Sequence, residues 1–113
     1  MKLSRELRAA SLRPIILTIL ADGDAYGYQI VQRVRKLSDG KMKWSNGTLY
    51  PLLHDLEHRK LVKSYWRETP TAPRRKYYRL TTKGQQALAS EKAQWLDVHA
   101  MLARLWGLDL QAE

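Results

Sequence analysis

Four leucines at helical spacing constrain the fold of this chain more than any other feature. They fall at i, i+3, i+4 and i+7 in the stretch "GTLYPLLHDLEH" and are Leu49, Leu52, Leu53 and Leu56. This spacing predicts one buried stripe on an α-helix. Pro51 lies inside the stretch, and a proline deep in a helix removes a hydrogen bond and clashes with the carbonyl group four residues back. We therefore expect the helix to begin near Thr48, after the turn "SNG", with Pro51 in its first turn.

Two further helices are expected before this one. Pro14 fits the first turn of a helix whose apolar residues continue as far as "ADGD", and the upstream "SRELRAAS" is expected to form a short polar helix or arm. Asp24 is a candidate cap for a second helix over about 25–37, because apolar residues recur there at helical spacing. The stretch "KMKW" that follows is a candidate short strand.

The pattern changes from helical spacing to partial alternation after Leu61. "LVKSYWRE" and "RKYYRL" are rich in Val, Tyr and Trp and are separated by the turn-like "TPTAP", which predicts a β-hairpin. Thr82 and Gln85 then have capping-box spacing, so a long helix is expected from about Lys83 to Trp106. The predicted fold class is mainly α with a small β-hairpin, in the order of a winged helix-turn-helix followed by a long C-terminal dimerisation helix.

Length and composition limit the organisation and the location of the chain. Its 113 residues suit one compact domain, with 1–81 as a winged helix-turn-helix DNA-binding unit that includes the N-terminal arm, and 82–113 as a dimerisation helix and tail. The absence of cysteine excludes disulfides and thiolate metal sites and favours an intracellular location. The apolar run Ile15 to Leu20 is too short to cross a bilayer, so a cytoplasmic protein is expected.

The positive charge of the chain is concentrated in its hairpin region. The chain has 20 basic and 11 acidic residues, a net charge of +9. Nine basic residues and one acidic residue fall between Arg59 and Lys83. A local excess of this size predicts an anionic partner such as nucleic acid.

The side of the third helix opposite the leucine stripe is unusually poor in lysine and glutamate. Helical geometry places Gly47, Tyr50, Pro51, His54 and His58 there. Glycine permits close backbone approach, tyrosine can bond phosphates or base edges, and a helix N-terminus itself favours a phosphate. The pattern indicates a DNA-facing surface.

Three motifs together resemble the PadR family of bacterial transcriptional regulators. They are "GYQI", "GTLYPLLHDLE" and "RRKYYRLTTKG", and they span roughly Ala25 to Leu88. The single C-terminal helix, with Trp95 in it, resembles the smaller subfamily that includes multidrug-binding members. The resemblance implies a homodimer whose third helices enter the major groove of double-stranded DNA at an inverted repeat. It also implies repression of a neighbouring gene or of the regulator's own gene.

The residues carried over from this resemblance complete the set of candidate DNA contacts. They lie on the third helix and on the wing: Asn46, Gly47, Thr48, Tyr50, Pro51, His54, Arg74, Arg75 and Lys76. Two alternatives stay open, since Tyr50 can instead pack over the helix–hairpin junction and a basic hairpin can be merely solvated. The wing tip "TPTAP" departs from the family in having two prolines and no glycine, which puts its reach into the minor groove in doubt.

The last helix carries an apolar stripe that predicts dimerisation. Its members follow a spacing of 7, 3, 4 and 3 and are Leu88, Trp95, Val98, Leu102 and Leu105. Glu91 interrupts the stripe where an apolar residue is expected. By resemblance, two copies of Trp95 could sandwich a small planar aromatic or cationic effector, and simple packing in the dimer core is the equal alternative.

Other functions have less support in the sequence. His54 and His58 are spaced for a metal ion on one helix but have no evident third ligand, so we expect neither a metal nor a cofactor. No catalytic motif stands out, and no enzyme activity is expected. Membrane-surface binding lacks a helix that combines basic and strongly apolar faces. The remaining alternative is a winged-helix module that contacts nucleic acid or protein without effector control.

Overall fold

The computed structural model describes residues 3–108, and it has the mainly helical class with a small sheet that the sequence predicts. In chain order its elements are α1 (Arg5–Asp22), β1 (Ala25–Tyr26), α2 (Gly27–Leu37), α3 (Asn46–His58), β2 (Val62–Thr69), β3 (Ala72–Leu80) and α4 (Thr82–Leu105). Residues 1–2 and the predicted tail after residue 108 lie outside the described residues.

Helix α1 is one continuous helix, and the prediction of a separate arm before Pro14 is wrong. Ser4 caps the helix by accepting a hydrogen bond from the Leu7 amide at 3.1 Å. Pro14 lies in the helix interior, where its missing N–H group leaves a carbonyl of the preceding turn without its usual partner. The helix continues because Ile16, Leu17, Ile19 and Leu20 are buried in the core, and burial of an apolar face outweighs one lost hydrogen bond.

The predicted cap of the second helix is also wrong. Helix α2 begins at Gly27 with Tyr26 as its N-cap residue, and the Tyr26 amide donates to Gln29 Oε1 at 3.2 Å. Asp24 points instead toward the hairpin, where its Oδ2 accepts hydrogen bonds from Tyr65 at 2.5 Å and from Arg79 at 3.2 Å. A carboxylate can either cap a helix or accept hydrogen bonds from distant groups. Here Asp24 accepts from Tyr65 and Arg79 and does not cap α2.

Helix α3 begins two residues earlier than predicted. Ser45 is the cap residue, and its hydroxyl accepts a hydrogen bond from the Thr48 amide at 3.3 Å. Pro51 therefore lies in the second turn rather than the first. The predicted strand "KMKW" is absent from the described sheet, since residues 41–44 form an irregular segment whose Met42 and Trp44 side chains are buried.

The predicted hairpin is confirmed, and a short third strand extends it. The sheet is antiparallel in the order β1-β3-β2. Strands β2 and β3 are paired from Val62 opposite Leu80 outward to Thr69 opposite Ala72, with an irregularity between Arg67 and Thr69. Strand β1 has only two residues, too few to show an alternating pattern in the sequence.

The core lies between the first three helices and one face of the sheet. Its fully buried side chains are Ile16, Leu17, Ile30, Leu49, Leu53, Leu56 and Val62. Three of the four leucines in the predicted stripe are thus fully buried, and Leu52 is partly buried against the same cluster. Burial of each such side chain contributes about 1.5–3 kcal/mol, so this stripe fixes which face of α3 is left for solvent or a partner.

Helix α4 follows the sheet directly and packs against α1. Thr81, rather than Thr82, is its cap residue, and the Thr81 hydroxyl accepts from the Gly84 amide at 3.0 Å. A Cβ atom on Gly84 would lie 3.1 Å from the Leu61 carbonyl carbon and would collide with its oxygen, so the close approach requires glycine. Farther along, Glu91 Oε2 accepts from Arg13 Nε at 2.5 Å, which explains why a carboxylate interrupts the apolar stripe.

Candidate nucleic-acid interface

Helix α3 presents most of the predicted DNA-facing residues to solvent. Because Leu49, Leu53 and Leu56 are buried, the opposite face is open. The exposed side chains there are Asn46, Gly47, Tyr50, Pro51, His54 and His58. Thr48 is half-buried at the start of the helix. The structure therefore brings the predicted α3 residues together on one surface.

Tyr50 has both an exposed part and a packed part. Its side chain is 39% exposed, and its ring lies so close to Gly27 that a Cβ atom there would be 3.0 Å from Tyr50 Cζ and would collide with the hydroxyl oxygen. The glycine of "GYQI" therefore allows α3 to sit closely against the start of α2. Tyr50 is therefore partly exposed on the surface of α3, while its hydroxyl end packs against the start of α2.

The three predicted wing residues do not share one face of the hairpin. Side chains of a strand alternate between faces, so Arg74 and Lys76 project from one face of β3 and Arg75 from the other. The first face is the one that meets α3, because Ser64 donates from it to Glu57 Oε2 at 2.5 Å. Arg74 and Lys76 thus lie on the same side of the sheet as α3, and Arg75 lies on the opposite side.

Aromatic rings hold the wing cations in place. Arg74 Cζ lies 4.5 Å from the ring centroid of Trp66, and on the other face Arg75 Cζ lies 4.6 Å from that of Tyr26. Lys76 Nζ lies 5.8 Å from the Tyr78 ring. Cation–π contacts at exposed sites contribute about 0.5–1 kcal/mol. They restrict the side chains before any ligand binds.

A hydrogen-bonded tyrosine joins the outer face of the sheet to the turn before β1. The Tyr65 hydroxyl donates to Asp24, and Tyr65 stacks on Tyr77 with ring centroids 5.8 Å apart. The hydrogen bond to the Asp24 carboxylate raises the pKa of Tyr65 above its ordinary value, and desolvation adds to the shift. Arg79 binds the same carboxylate at 3.2 Å, so the wing is anchored to the helical body at its base.

A second tyrosine lies at the junction of the sheet and α3. Tyr78 is only 2% exposed, and this burial raises its pKa, with a smaller contribution from the Glu57 carboxylate. The neutral ring packs in the core and Lys76 stacks over it. The junction therefore connects α3 to the strand that carries the wing cations.

No metal centre accompanies this surface in the part of the chain that is described. His54 and His58 are both exposed on α3. Within residues 3–108, no group of three His, Cys, Asp or Glu side chains is arranged to hold a metal ion.

The predicted dimerisation stripe is divided between two environments. Leu88 packs against the core cluster of its own chain, and Leu102 is half-buried. By contrast, Trp95, Val98 and Leu105 are 40%, 50% and 72% exposed. Leu96 and Met101 add to the exposed apolar surface at 57% and 52%. Beyond Glu91 the helix therefore presents apolar side chains that the described part of the chain, residues 3–108, leaves exposed.

Trp95 borders a cavity of about 340 Å³ between α1, α2 and α4. The wall is mostly apolar, and its residues are Ser11, Pro14, Ile15, Thr18, Ile19, Arg33, Leu37 and Trp95. Arg33 pairs with Asp22 at one edge. A cavity of this size and lining suits a small, largely apolar molecule.

Sequence reasoning did not identify Trp66 as part of the wing surface. The residue is 55% exposed and lies directly opposite Lys76 in the hairpin. Counting outward from the predicted turn would have paired these two positions, because register follows from the loop in a hairpin. A basic strand opposite an exposed tryptophan is thus a readable signal.

A polar-faced helix beside a basic hairpin defines the winged-helix class of DNA-binding proteins. Comparison with known proteins identifies the family within this class. The Transcriptional regulator PadR-like family matches residues 16–90, about two thirds of the sequence. The chain therefore belongs to the PadR-like family of transcriptional regulators. Regulators of this family bind DNA and commonly dimerise, and they are generally not enzymes.

Individual relatives agree with this assignment. The transcriptional regulator Rv3488 of Mycobacterium tuberculosis is 38% identical over 88 residues, which cover 78% of each chain. A transcriptional regulator from Clostridium thermocellum has a similar structure, with a TM-score of 0.81 at 29% identity over 90% of this chain and 96% of the other. The PadR-like regulator BC4206 from Bacillus cereus gives a TM-score of 0.79 at 30% identity, covering 96% and 99% of the two chains.

None of the helices in residues 3–108 combines the length and the apolar character that crossing a membrane requires.

Proposed function

We propose that this protein is a cytoplasmic repressor that binds an inverted-repeat operator as a homodimer. The observation that carries the proposal is the common surface formed by the exposed polar face of α3 and the wing residues Arg74 and Lys76. In this proposal α3 enters the major groove, where Tyr50 and His54 meet base edges and Thr48 meets the backbone. The wing cations bind phosphates on either side of the groove.

The DNA-binding unit in this proposal is 1–81, and α4 with the tail, 82–113, is the dimerisation unit. Exposed Trp95, Val98 and Leu105 support this division, because burial of such a stripe is what drives helix pairing. In this proposal the stripe packs against the same stripe of a second copy of the chain, related to it by a two-fold axis. This symmetry sets the two α3 helices about one DNA turn, roughly 34 Å, apart. The dimer bound to promoter DNA then blocks transcription.

An effector control completes the proposal. The cavity beside Trp95 is lined mostly by apolar groups and touches α1, α2 and α4, the helices whose arrangement sets the separation of the two DNA-binding units. A small planar aromatic or cationic molecule stacked on Trp95 favours a dimer conformation in which the spacing of the two α3 helices no longer matches the operator. The population of DNA-bound dimer then falls.

A winged-helix module that binds nucleic acid or protein without effector control is the second candidate, and the high local positive charge alone would suit it. The two candidate functions differ in the number of protomers that bind one DNA site and in the symmetry of that site. The test is sedimentation of the purified protein with DNA from upstream of its own gene, using wild type and Leu105→Asp. Lys92→Asp is the matched control, because Lys92 is an exposed polar position on the same helix.

We expect two protomers of wild type and of Lys92→Asp on one inverted repeat, and a monomer with much weaker binding for Leu105→Asp. Equal binding of all three proteins to any DNA of the same length would favour the second candidate.

A further inference from the structure

A small cavity beside the start of α3 has a concentration of positive charge that the surface described above does not include. It has a volume of about 220 Å³ and lies between the first turns of α1, the segment before α3 and the first turn of α3. Its polar lining residues are Arg5, Arg8, Lys43 and Thr48, and Ala9, Leu12 and Trp44 also line it. We call it the Trp44 pocket. Its volume is several times the ~30 Å³ that one water molecule occupies, so it can admit a phosphate group with some of its water.

The three cations of the Trp44 pocket have no acidic partner in the described part of the chain. Ion pairs within residues 3–108 join Arg13 to Glu91, Arg33 to Asp22, Arg59 to Asp55 and Arg79 to Asp24. Arg5, Arg8 and Lys43 take part in none of these pairs, and all three are exposed. Arg5 and Arg8 are three residues apart on one helix, so their side chains lie on the same side of it. Their charge is free to attract an anion.

The first turn of α3 adds donors to the same place. Ser45 satisfies the amide of Thr48 at 3.3 Å, whereas among residues 3–108 no acceptor is found for the amides of Asn46 and Gly47. Free amides at the positive end of a helix favour an anion. A Cβ atom on Gly47 would meet only Ser45 Oγ, at 3.6 Å, so the space over this turn is open.

The Trp44 indole supplies an independent sign that an acceptor belongs here. Trp44 is 7% exposed, and its Nε1 is the one buried side-chain polar atom in residues 3–108 without a hydrogen-bond partner. Indole N–H can only donate, and native structures rarely leave a buried donor unpaired. Trp44 lines the pocket, and its Nε1 exposes less than 1 Å², so an acceptor in the pocket reaches Nε1 only after the surrounding side chains shift.

We propose that the Trp44 pocket binds a phosphate group of the DNA backbone, next to the bases that face α3. Arg5, Arg8 and Lys43 neutralise the phosphate, and Trp44 Nε1 donates a hydrogen bond to one of its oxygens. Thr48 belongs both to the pocket and to the start of the recognition helix, so this contact fixes how far α3 advances along the groove. The inference rests on the proposed DNA-binding function and adds a site to it.

The first test replaces one pocket cation and follows affinity against salt. Arg8→Gln removes a charge from the pocket, and Lys92→Gln removes one from an exposed position of α4. The slope of log affinity against log salt should fall by about 1 for Arg8→Gln and stay at the wild-type value for Lys92→Gln. Base preference should be unchanged in both, because a phosphate contact carries no sequence information. Equal slopes in all three proteins would overturn the inference.

The second test identifies the phosphate. Operators are prepared in which one backbone phosphate at a time is replaced by an uncharged methylphosphonate. We expect one position per half-site at which the replacement weakens wild type about tenfold and weakens Arg8→Gln less, since one partner of the phosphate is already lost. Trp44→Phe, checked for native circular dichroism and melting temperature, should also be less sensitive than wild type at that position. If every methylphosphonate affects wild type and Arg8→Gln alike, the pocket does not hold a DNA phosphate.

Inorganic phosphate distinguishes the two sources of this ligand. Titrated alone, it should change the fluorescence of wild type only weakly compared with DNA. A saturable, Trp44-dependent change with inorganic phosphate, together with unchanged DNA slopes for Arg8→Gln, would assign the pocket to a free phosphate compound and overturn the DNA site. Absence of any preferred operator in all variants would instead contradict the proposed function itself.

Discussion

The hydroxyl group of Tyr50 lies where a side chain on Gly27 would have to begin. A Cβ atom on Gly27 would also be 3.3 Å from Leu49 Cδ2 and 3.0 Å from Tyr50 Cζ. Tyr50 is a candidate DNA contact on α3, and Gly27 is the first residue of α2. The relation between these two helices therefore depends on the absence of a side chain at one position and on the orientation of one ring.

Replacement of Gly27 by alanine should disturb both stability and DNA binding. Overpacking of this kind costs about 1–3 kcal/mol of unfolding free energy, more than the gain of up to ~1 kcal/mol in helix propensity. Urea unfolding measures the loss, and operator affinity should fall because Tyr50 must move. Gly47→Ala is the control for stability, because its Cβ atom meets only Ser45 Oγ at 3.6 Å. Equal stability of the two variants would contradict the packing argument.

Tyr50→Phe should restore part of the stability lost in Gly27→Ala. The phenylalanine ring lacks the oxygen that collides with the new Cβ atom, although the ring carbon at 3.0 Å remains close. A double-mutant cycle should therefore give a coupling energy of about 0.5–3 kcal/mol between the two positions.

The faces of the wing should separate in their response to salt. Arg74 and Lys76 lie on the face that meets α3, and Arg75 stacks on Tyr26 from the opposite face. Arg74→Gln and Lys76→Gln should each reduce the salt slope of operator affinity by about 1, and Arg75→Gln should leave it near the wild-type value. Fluorescence anisotropy over a salt series measures the slopes. A reduction by Arg75→Gln as large as that by Lys76→Gln would mean that DNA wraps around both faces of the wing.

Stability should decline at alkaline pH because of the tyrosines that have raised pKa values. The hydrogen bond to Asp24 favours the neutral form of Tyr65, so its pKa in the folded chain lies above the ordinary value for tyrosine. Its contribution is fully present below the pKa of the unfolded chain and is lost as pH rises through the raised value. Unfolding free energies measured from neutral pH to beyond pH 10 should fall, and less steeply in Tyr65→Phe. Buried Tyr78 should retain its own part of the decline.

If the unfolding free energy of Tyr65→Phe falls with rising pH as steeply as that of wild type, the hydrogen bond to Asp24 is not what keeps the Tyr65 hydroxyl protonated. Asp24→Asn is the complementary control, because it keeps the shape of the side chain and removes the carboxylate charge.

Trp95 should report the binding of a planar effector. It is 40% exposed beside the cavity between α1, α2 and α4. Planar cationic dyes should quench tryptophan fluorescence in wild type, and Trp95→Ala should lose most of the quenching. Trp66→Ala is the matched control, because Trp66 is similarly exposed at 55% but lies on the wing. Loss of the dimer in Trp95→Ala, with quenching retained, would assign Trp95 to dimer packing instead.

Elements with a long and regular pattern could be predicted from the sequence. The spacing of the leucines predicted a helix for α3, and the alternation in the two runs of the hairpin predicted strands. Both predictions work because buried positions recur with the period of the structure. Their ends were less accurate. The stretch "SNG" was predicted to be a turn before Thr48, but Ser45 caps the helix, so α3 begins at Asn46 and Pro51 lies in its second turn.

Errors arose where distant residues decide the local structure. Asp24 has the chemistry of a cap, yet Tyr65 and Arg79 bind it from 41 and 55 positions away. Pro14 has the chemistry of a helix start, yet burial of the residues after it keeps α1 continuous. Neither outcome is encoded within a few residues of the position concerned, so local reasoning favours the wrong alternative in both cases.

The candidate site divides in the same way. The exposed residues of α3 follow from the buried stripe on the same helix, so one pattern predicts both. The Trp44 pocket could not be found in this way, because α1 contributes Arg5 and Arg8 while the segment before α3 contributes Lys43 and Trp44. Only the packing of α1 beside that segment brings these residues to one place.

The central claim is that this chain is a dimeric regulator that recognises a specific inverted repeat. Selection of bound fragments from genomic DNA by the purified protein tests it most directly, with Tyr50→Ala selected in parallel. We expect wild type to enrich one palindromic motif with half-sites about one helical turn apart, and Tyr50→Ala to lose it. Fragments without a common motif, bound by both proteins and released together as salt rises, would contradict the claim and leave only the attraction of a +9 chain for DNA.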